Sequence, residues 1–281
     1  MLIEIAIADA YGAGFEYADD EVYAKHNTLA GYVRHRRHKN VPGTYTDDTQ
    51  MSLAVAEAIV EGRPWTKAEL AEKFVAVFKR DPRKGYARSF YQFLQDVADG
   101  TEFLERIRPD SDKSGAAMRA APIGVLATIS DVMQHAKVQA SVTHDTTDGI
   151  TAAQAAALMS HYFVYDLGPR ASVGQFLSEH VPGQWNAPWV GKVGPKGWMS
   201  VRAAITAVVA SSSMSNLLMS CIAFTGDVDT VAAIACGAAS CSREIEQDLP
   251  SHLASALEDG QYGRRYVEAL DQKLLARARR A

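Results

Sequence analysis

The sequence predicts an all-α protein on three observations. Alanine is abundant, apolar residues recur at spacings of three and four in several windows, and β-branched residues rarely alternate with polar ones as a half-buried strand requires. At 281 residues the chain is long enough to bury roughly three-quarters of the surface its unfolded form exposes, so the fold needs no disulfide or structural metal. With 47% hydrophobic and 22% charged residues the composition excludes disordered and fibrous classes. The 29 basic and 33 acidic side chains leave a formal charge of -4, which gives no global footprint for a polyanion.

The elements follow from local signals. Asp47 and Gln50 form an expected capping pair opening a helix whose apolar face is Met51, Ala54, Val55, Ala58 and Ile59, closed by Gly62 and Pro64. Thr66 caps a second helix carrying Leu70, Phe74, Val77 and Phe78, stopped near Asp81 and Pro82. Further helices are expected over about 86–98, 116–136, 149–165, 200–220, 229–242 and 262–279. Residues 203–226 carry no charge and are long enough for a bilayer, but serines such as Ser211, Ser212 and Ser213 suit a buried helix pair in a soluble core. Residues 182–197, rich in glycine and proline but holding Trp185 and Trp189, read as a long ordered loop. No repeat or composition shift marks a boundary, so one domain over 1–281 is expected.

Cys221, Cys236 and Cys241 make neither a disulfide framework nor a zinc set, and Glu4 stands where a signal peptide would carry lysine. The expected location is cytoplasmic.

Two acidic clusters carry the chemistry. Thr46-Asp47-Asp48-Thr49 opens one helix, and Gly226-Asp227-Val228-Asp229-Thr230 precedes another apolar helical window. The partial positive charge of a helix start repels a cation, and carboxylates reverse that sign. Four carboxylates with threonine hydroxyls, and no histidine or cysteine, suit hard Mg²⁺ or Mn²⁺ ions.

With these clusters the chain resembles the ADP-ribosylglycohydrolase family over most of its length. The motifs that carry the resemblance are, in order, Asp9-Ala10-Tyr11-Gly12-Ala13-Gly14-Phe15-Glu16, Thr46-Asp47-Asp48-Thr49-Gln50-Met51, residues 114–124, Thr143-His144 and residues 226–230. The resemblance implies an orthogonal helical bundle with two Mg²⁺ or Mn²⁺ ions at the bottom of an ADP-ribose cleft. It implies Thr46, Asp47, Asp48, Asp227, Asp229 and Thr230 as metal ligands and Glu16 as a carboxylate on a mobile flap. It assigns Ser114, Gly115, Ala116, Ala117 and Met118 to the loop around the diphosphate, and His144 to the phosphates or adenosine ribose.

Three departures stand out. Lys113-Ser114-Gly115 replaces the family's Gly-Asn-Gly, Ala8-Asp9 replaces Gly-Asp, and Thr225-Gly226 replaces Gly-Gly. The short lead before Asp9 also predicts an abbreviated first helix.

The implied reaction is hydrolysis at C1 of the distal ribose, freeing ADP-ribose from a modified macromolecule. Glu16, Asp47, Asp48 and Asp227 are candidates for the base that takes the water proton, and the sequence leaves the choice among them open. Arg119 reads as a structural ion-pair partner outside the site. The basic run Arg34-His35-Arg36-Arg37-His38-Lys39 could border the cleft and favour a nucleic-acid acceptor. Trp185 and Trp189 are candidates for the leaving-group side. A monomer is expected, without membrane contact. The alternatives are a catalytically impaired, metal-dependent ADP-ribose-binding protein on the same scaffold and a Mg²⁺-dependent phosphoester hydrolase.

Overall fold

The computed structural model describes residues 1–36 and 40–278. Its helices, in order, are α1 (Leu2–Gly12), α2 (Asp20–His26), α3 (Asp47–Glu61), α4 (Lys67–Arg80) and α5 (Arg88–Asp96). Next come α6 (Gly100–Arg106), α7 (Gly115–Met118), α8 (Ile129–Ala140), α9 (Thr147–Val164) and α10 (Val173–His180). The last five are α11 (Gly197–Ala210), α12 (Met214–Ala223), α13 (Val228–Ala239), α14 (Ser251–Ala256) and α15 (Arg264–Ala278). Among the described residues there are isolated bridges but no strand, and the fold is all-α as expected.

Helix α13 is the centre of the molecule. Every residue from Val228 to Ala239 is buried, because an element apolar all round has no face to give to water. It packs against α1, α9, α11 and α12, while α3 packs against α1, α4 and α15. One apolar core runs without a break from Met1, just before α1, to Leu274 in α15.

Most expected helices are present within a few residues. Thr66 caps α4 as expected, its side chain accepting from Glu69 N, and α3 ends at Gly62 with φ 68°. Three departures have clear causes. The expected helix over 116–136 is α7, a 3-10 turn over Ala121–Val125 and α8, because Pro122 lacks an N–H and Gly124 weakens the helix. The window 200–220 divides into α11 and α12, with Ser213 Oγ accepting from Asn216 N at the new start; the buried pair expected over 203–226 is thus present. The capping pair of Asp47 and Gln50 does not form. Thr46 is the cap residue of α3, Asp9 supplies the acceptor, and Gln50 Nε2 donates instead to the Val77 and Asp81 carbonyls at 3.2 and 2.7 Å. The first helix, expected to be abbreviated, has 11 residues, nine of them buried. The short helices α2, α6, α10 and α14 lie outside the expected windows. Among the described residues no helix is long and apolar enough to cross a membrane.

Candidate active site

The site is built where α1, α3 and α13 meet. Asp9, in the last turn of α1, is fully buried and receives hydrogen bonds from Thr46 N at 2.8 Å, Thr46 Oγ1 at 2.6 Å, Thr49 N at 3.0 Å and Thr49 Oγ1 at 2.5 Å. It thereby fixes the start of α3 against the end of α1, with Asp47 and Asp48 in the first turn. The start of α13 is held from the other side. Thr225 and Gly226 take left-handed conformations, φ 63° and 93°, and a side chain at 226 would come within 2.0 Å of the Val193 carbonyl. Only glycine fits there. The preceding Thr225 carries left-handed strain where the family pattern has glycine. Val193 N donates to Thr225 O and Asp227 N to Val193 O, so the loop over 182–197 buttresses this turn.

The turn after α1 carries Glu16, whose backbone carbonyl lies 2.8 Å from His35 Nε2. Tyr17, at φ 47°, donates its N–H to Gly226 O at 2.9 Å. Carboxylate oxygens of Glu16, Asp227 and Asp229 lie within 4.8 Å of one another. Ser200 Oγ donates to Asp227 Oδ2 at 3.3 Å, the Thr230 side chain favours ionisation of both Asp48 and Asp227, and Asp227 lies close enough to raise Asp48. The two acidic clusters are therefore one group.

Above this floor lies a cleft of about 370 Å³, lined by Glu16, Asp47, Asp48, Asp227, Asp229 and Thr230 below and by Ser114, Gly115, Met118 and His144 on one wall. Two of the expected loop residues, Ala116 and Ala117, are buried and do not line it. Thr46 is likewise buried beneath the floor, its hydroxyl donated to Asp9. Tyr17, Tyr86, Phe90, Arg108 and Arg119 also line the cleft, unforeseen as site residues from sequence, and so does Lys113, the residue that replaces glycine in the expected diphosphate loop. Tyr86 and Phe90 fell in an expected helical window, where an aromatic at helical spacing looks the same whether it faces core or cleft.

Neither tryptophan reaches the cleft. Trp185 is buried, donating to Val181 O at 3.1 Å, and Trp189 packs edge-on against Trp198. Of the basic run, His35 is buried beside the Glu16 carbonyl, Arg34 and Arg36 are exposed, and Arg37, His38 and Lys39 lie outside the described residues. Arg119 makes no structural ion pair among the described residues; its guanidinium bonds to Gln139 and Thr143 and stacks on Phe74.

Electrostatics set what the floor can hold. Burial raises the Glu16 carboxyl to about 7, helped by Asp227 and Asp9. Asp47, Asp48 and Asp229 are pushed well above the carboxylate range, first by burial and then by neighbouring carboxylates. Asp227 is raised by burial against the opposing bonds from Ser114, Thr230 and Ser200. Asp48 Oδ1 is buried without a hydrogen-bond partner among the described residues. An all-oxygen donor set, crowded carboxylates and an orphaned carboxylate oxygen fit hard divalent cations, whose charge would reverse these shifts. On the wall burial disfavours the positive forms: it lowers His144 to about 3, which leaves the ring neutral, and Arg119 to about 9.

An all-helical scaffold with an acidic floor suited to divalent cations, under a wall bearing arginine, lysine and histidine, defines a class of cleft built for a ligand with an anionic portion. The model of the ADP-ribosylglycohydrolase family matches residues 1–281, and the chain belongs to that family. ADP-ribosylhydrolase ARH3 of Xenopus tropicalis is 28% identical over 144 residues, covering 48% of this chain and 41% of that protein. ADP-ribosyl-[dinitrogen reductase] glycohydrolase of Rhodospirillum rubrum is 24% identical over 273 residues, covering 90% of this chain and 87% of that protein. The match thus spans about two-fifths of the ARH3 sequence and most of the bacterial one. A solved structure described as an ADP-ribosylglycohydrolase-related protein complex shares the fold, with a TM-score of 0.74, 21% identity, and coverage of 99% of this chain and 96% of that one.

Proposed function

We propose that the protein is a divalent-metal-dependent hydrolase that removes ADP-ribose from a modified macromolecule by cleaving the bond at C1 of the distal ribose. The observation that carries this reading is the convergence of Glu16, Asp47, Asp48, Asp227 and Asp229 at the floor of the cleft walled by Ser114, Gly115, Met118 and His144. Asp47, Asp48, Asp227, Asp229 and Thr230, with Thr46 behind them, would hold two Mg²⁺ or Mn²⁺ ions. Ions held there would supply Lewis acidity that lowers the pKa of a water toward neutral.

The chain's own groups do the rest. As the glycosidic bond breaks, positive charge grows on C1, and the acidic floor stabilises it. Glu16, Asp47 and Asp48, which line the cleft, are the candidates to take the water proton. Lys113 and Arg108, lining the same cleft, add positive charge for the diphosphate. Ala116 and Ala117 support the loop from behind. Tyr17 and Phe90 give the cleft apolar faces for a base or an acceptor. One chain forming one domain carries every group named, which suits a monomer, and three free cysteines suit a reducing cytoplasm.

The test is release of ADP-ribose from arginine-, serine- and nucleic-acid-linked substrates with Mg²⁺, with Mn²⁺ and with chelator. Chelator-sensitive release from one linkage is expected, abolished in Asp47→Asn and Asp229→Asn. Metal-dependent binding of ADP-ribose without release from any substrate would replace the hydrolase with a binding protein on the same scaffold.

A further inference from the structure

The cleft wall contains a buried cation to which the reaction above gives no task. Arg119 is 1% exposed, with its guanidinium 4.4 Å from the centroid of the Phe74 ring. Its hydrogen bonds go to neutral groups: Nε donates to Gln139 Oε1 at 2.7 Å, and Nη2 to Gln139 O at 3.1 Å and to Thr143 Oγ1 at 2.8 Å. Gln139 is itself held by its Nε2 donating to Ala116 O at 2.8 Å. The Thr143 hydroxyl then lies 2.6 Å from His144 Nδ1.

Hydrogen-bond counting fixes the direction of this chain. Arginine can only donate, so Thr143 Oγ1 accepts from it and must place its own proton elsewhere. Among the described residues His144 Nδ1 is the acceptor within reach. A proton on Nδ1 would instead give the hydroxyl two donors and leave its own proton buried without an acceptor, which is costly. The opposite edge of the ring faces the loop: a side chain added at Gly115 would meet His144 Cε1 at 3.0 Å and Nε2 at 3.2 Å. Burial and the Arg119 charge both disfavour the imidazolium, so the ring stays neutral.

We propose that Arg119 and Thr143 are positioning residues that lock His144 as the neutral tautomer with its proton on Nε2, presenting one fixed donor to an anionic oxygen of the substrate diphosphate. The identity of that oxygen rests on the proposed ADP-ribose substrate; the tautomer does not. A neutral donor with its direction set in advance binds oxygen without titrating through the physiological range, and a freely flipping ring would hold that state only part of the time.

Nitrogen-15 NMR of the whole ligand-free chain, labelled at histidine, reads the tautomer from the two ring shifts. The wild type is expected to show Nε2–H for His144 with no titration between pH 5 and 8. Thr143→Val should give mixed or Nδ1–H signals, and Thr143→Ser should restore Nε2–H. Calorimetry with ADP-ribose and Mg²⁺ should show affinity falling about tenfold in Thr143→Val, the scale of one hydrogen bond, and recovering in Thr143→Ser. Should the valine variant not fold, Arg119→Lys takes its place, since one ammonium cannot reproduce the forked contacts to Gln139 and Thr143. Nδ1–H in the wild type, or an unaltered tautomer in the variants, overturns the relay. A wild type that binds no ADP-ribose overturns the diphosphate assignment, while the spectra still decide the tautomer.

Discussion

Asp9 joins fold and site through a single carboxylate. Its four bonds to Thr46 and Thr49 cap α3 from another helix, and they oppose the upward push that burial gives its own ionisation. Asp9→Ala would leave those donors buried without acceptors, a loss of about 3 kcal/mol. We expect Tm to fall by about 6–12 °C by calorimetry, the scale for a chain of this size. A change under 1 °C would remove Asp9 from this role. The sequence showed Asp9 in a motif but not what it does, because its partners lie 37 and 40 positions away and no local pattern links them. His144 gives a second prediction at this scale. Its folded value near 3 lies below the unfolded 6.5, so its contribution to stability is full above 6.5 and is lost as pH falls toward 3. Urea unfolding should show about 2 kcal/mol more acid loss between pH 6.5 and 5 in the wild type than in His144→Gln. Parallel profiles would refute the depressed value.

Between elements the decisive quantity is how closely backbones approach. A side chain at Gly12 would lie 2.4 Å from Asp229 Cα, backbone that cannot yield without moving the start of α13. One at Gly237 would meet Ile5 Cγ1 at 2.6 Å, the flexible side chain of α1. Both residues sit at the α1–α13 contact, yet Gly12→Ala should cost about 1–3 kcal/mol and weaken Mn²⁺ binding, while Gly237→Ala should cost less and leave Mn²⁺ binding alone. Chemical denaturation with Mn²⁺ titration by electron paramagnetic resonance separates the two, and equal Mn²⁺ affinities would show that α1 does not set the position of Asp229. Elements with a strong local signature were legible, such as α4 with its Thr66 cap and apolar face. The breaks at Pro122 and at Ser211–Ser213 were visible as residues, but helical spacing continues across them, so periodicity ran the windows together. The short α2, α6, α10 and α14 hold too few turns for a face to repeat.

Across the whole molecule, the four aspartates of the acidic floor were legible because they sit in two compact clusters at helix starts, whereas Glu16, in the turn after α1, was marked only by the family resemblance. The wall was only partly so: Ser114, Gly115, Met118 and His144 line the cleft, whereas Ala116, Ala117 and Trp189 do not, since which side of a loop faces a cavity is settled by packing far along the chain. That floor also carries a penalty distributed over the fold. Glu16 and the aspartates are raised above their ordinary values, so above the ordinary carboxylate range the metal-free floor destabilises the folded state relative to the unfolded chain. A divalent cation removes that repulsion and binds only the folded form. At a hundredfold excess over its dissociation constant, each bound ion should stabilise the protein by about 2.7 kcal/mol, visible as a rise in Tm that chelator reverses. Asp229→Asn should lose most of this rise and yet, with chelator at pH 8, match or exceed the wild type, because asparagine has no ionisation for the fold to disfavour. A wild type whose Tm ignores Mg²⁺, Mn²⁺ and chelator alike would mean that the floor tolerates its carboxylates by protonation, and the metal-dependent reading would fall with it.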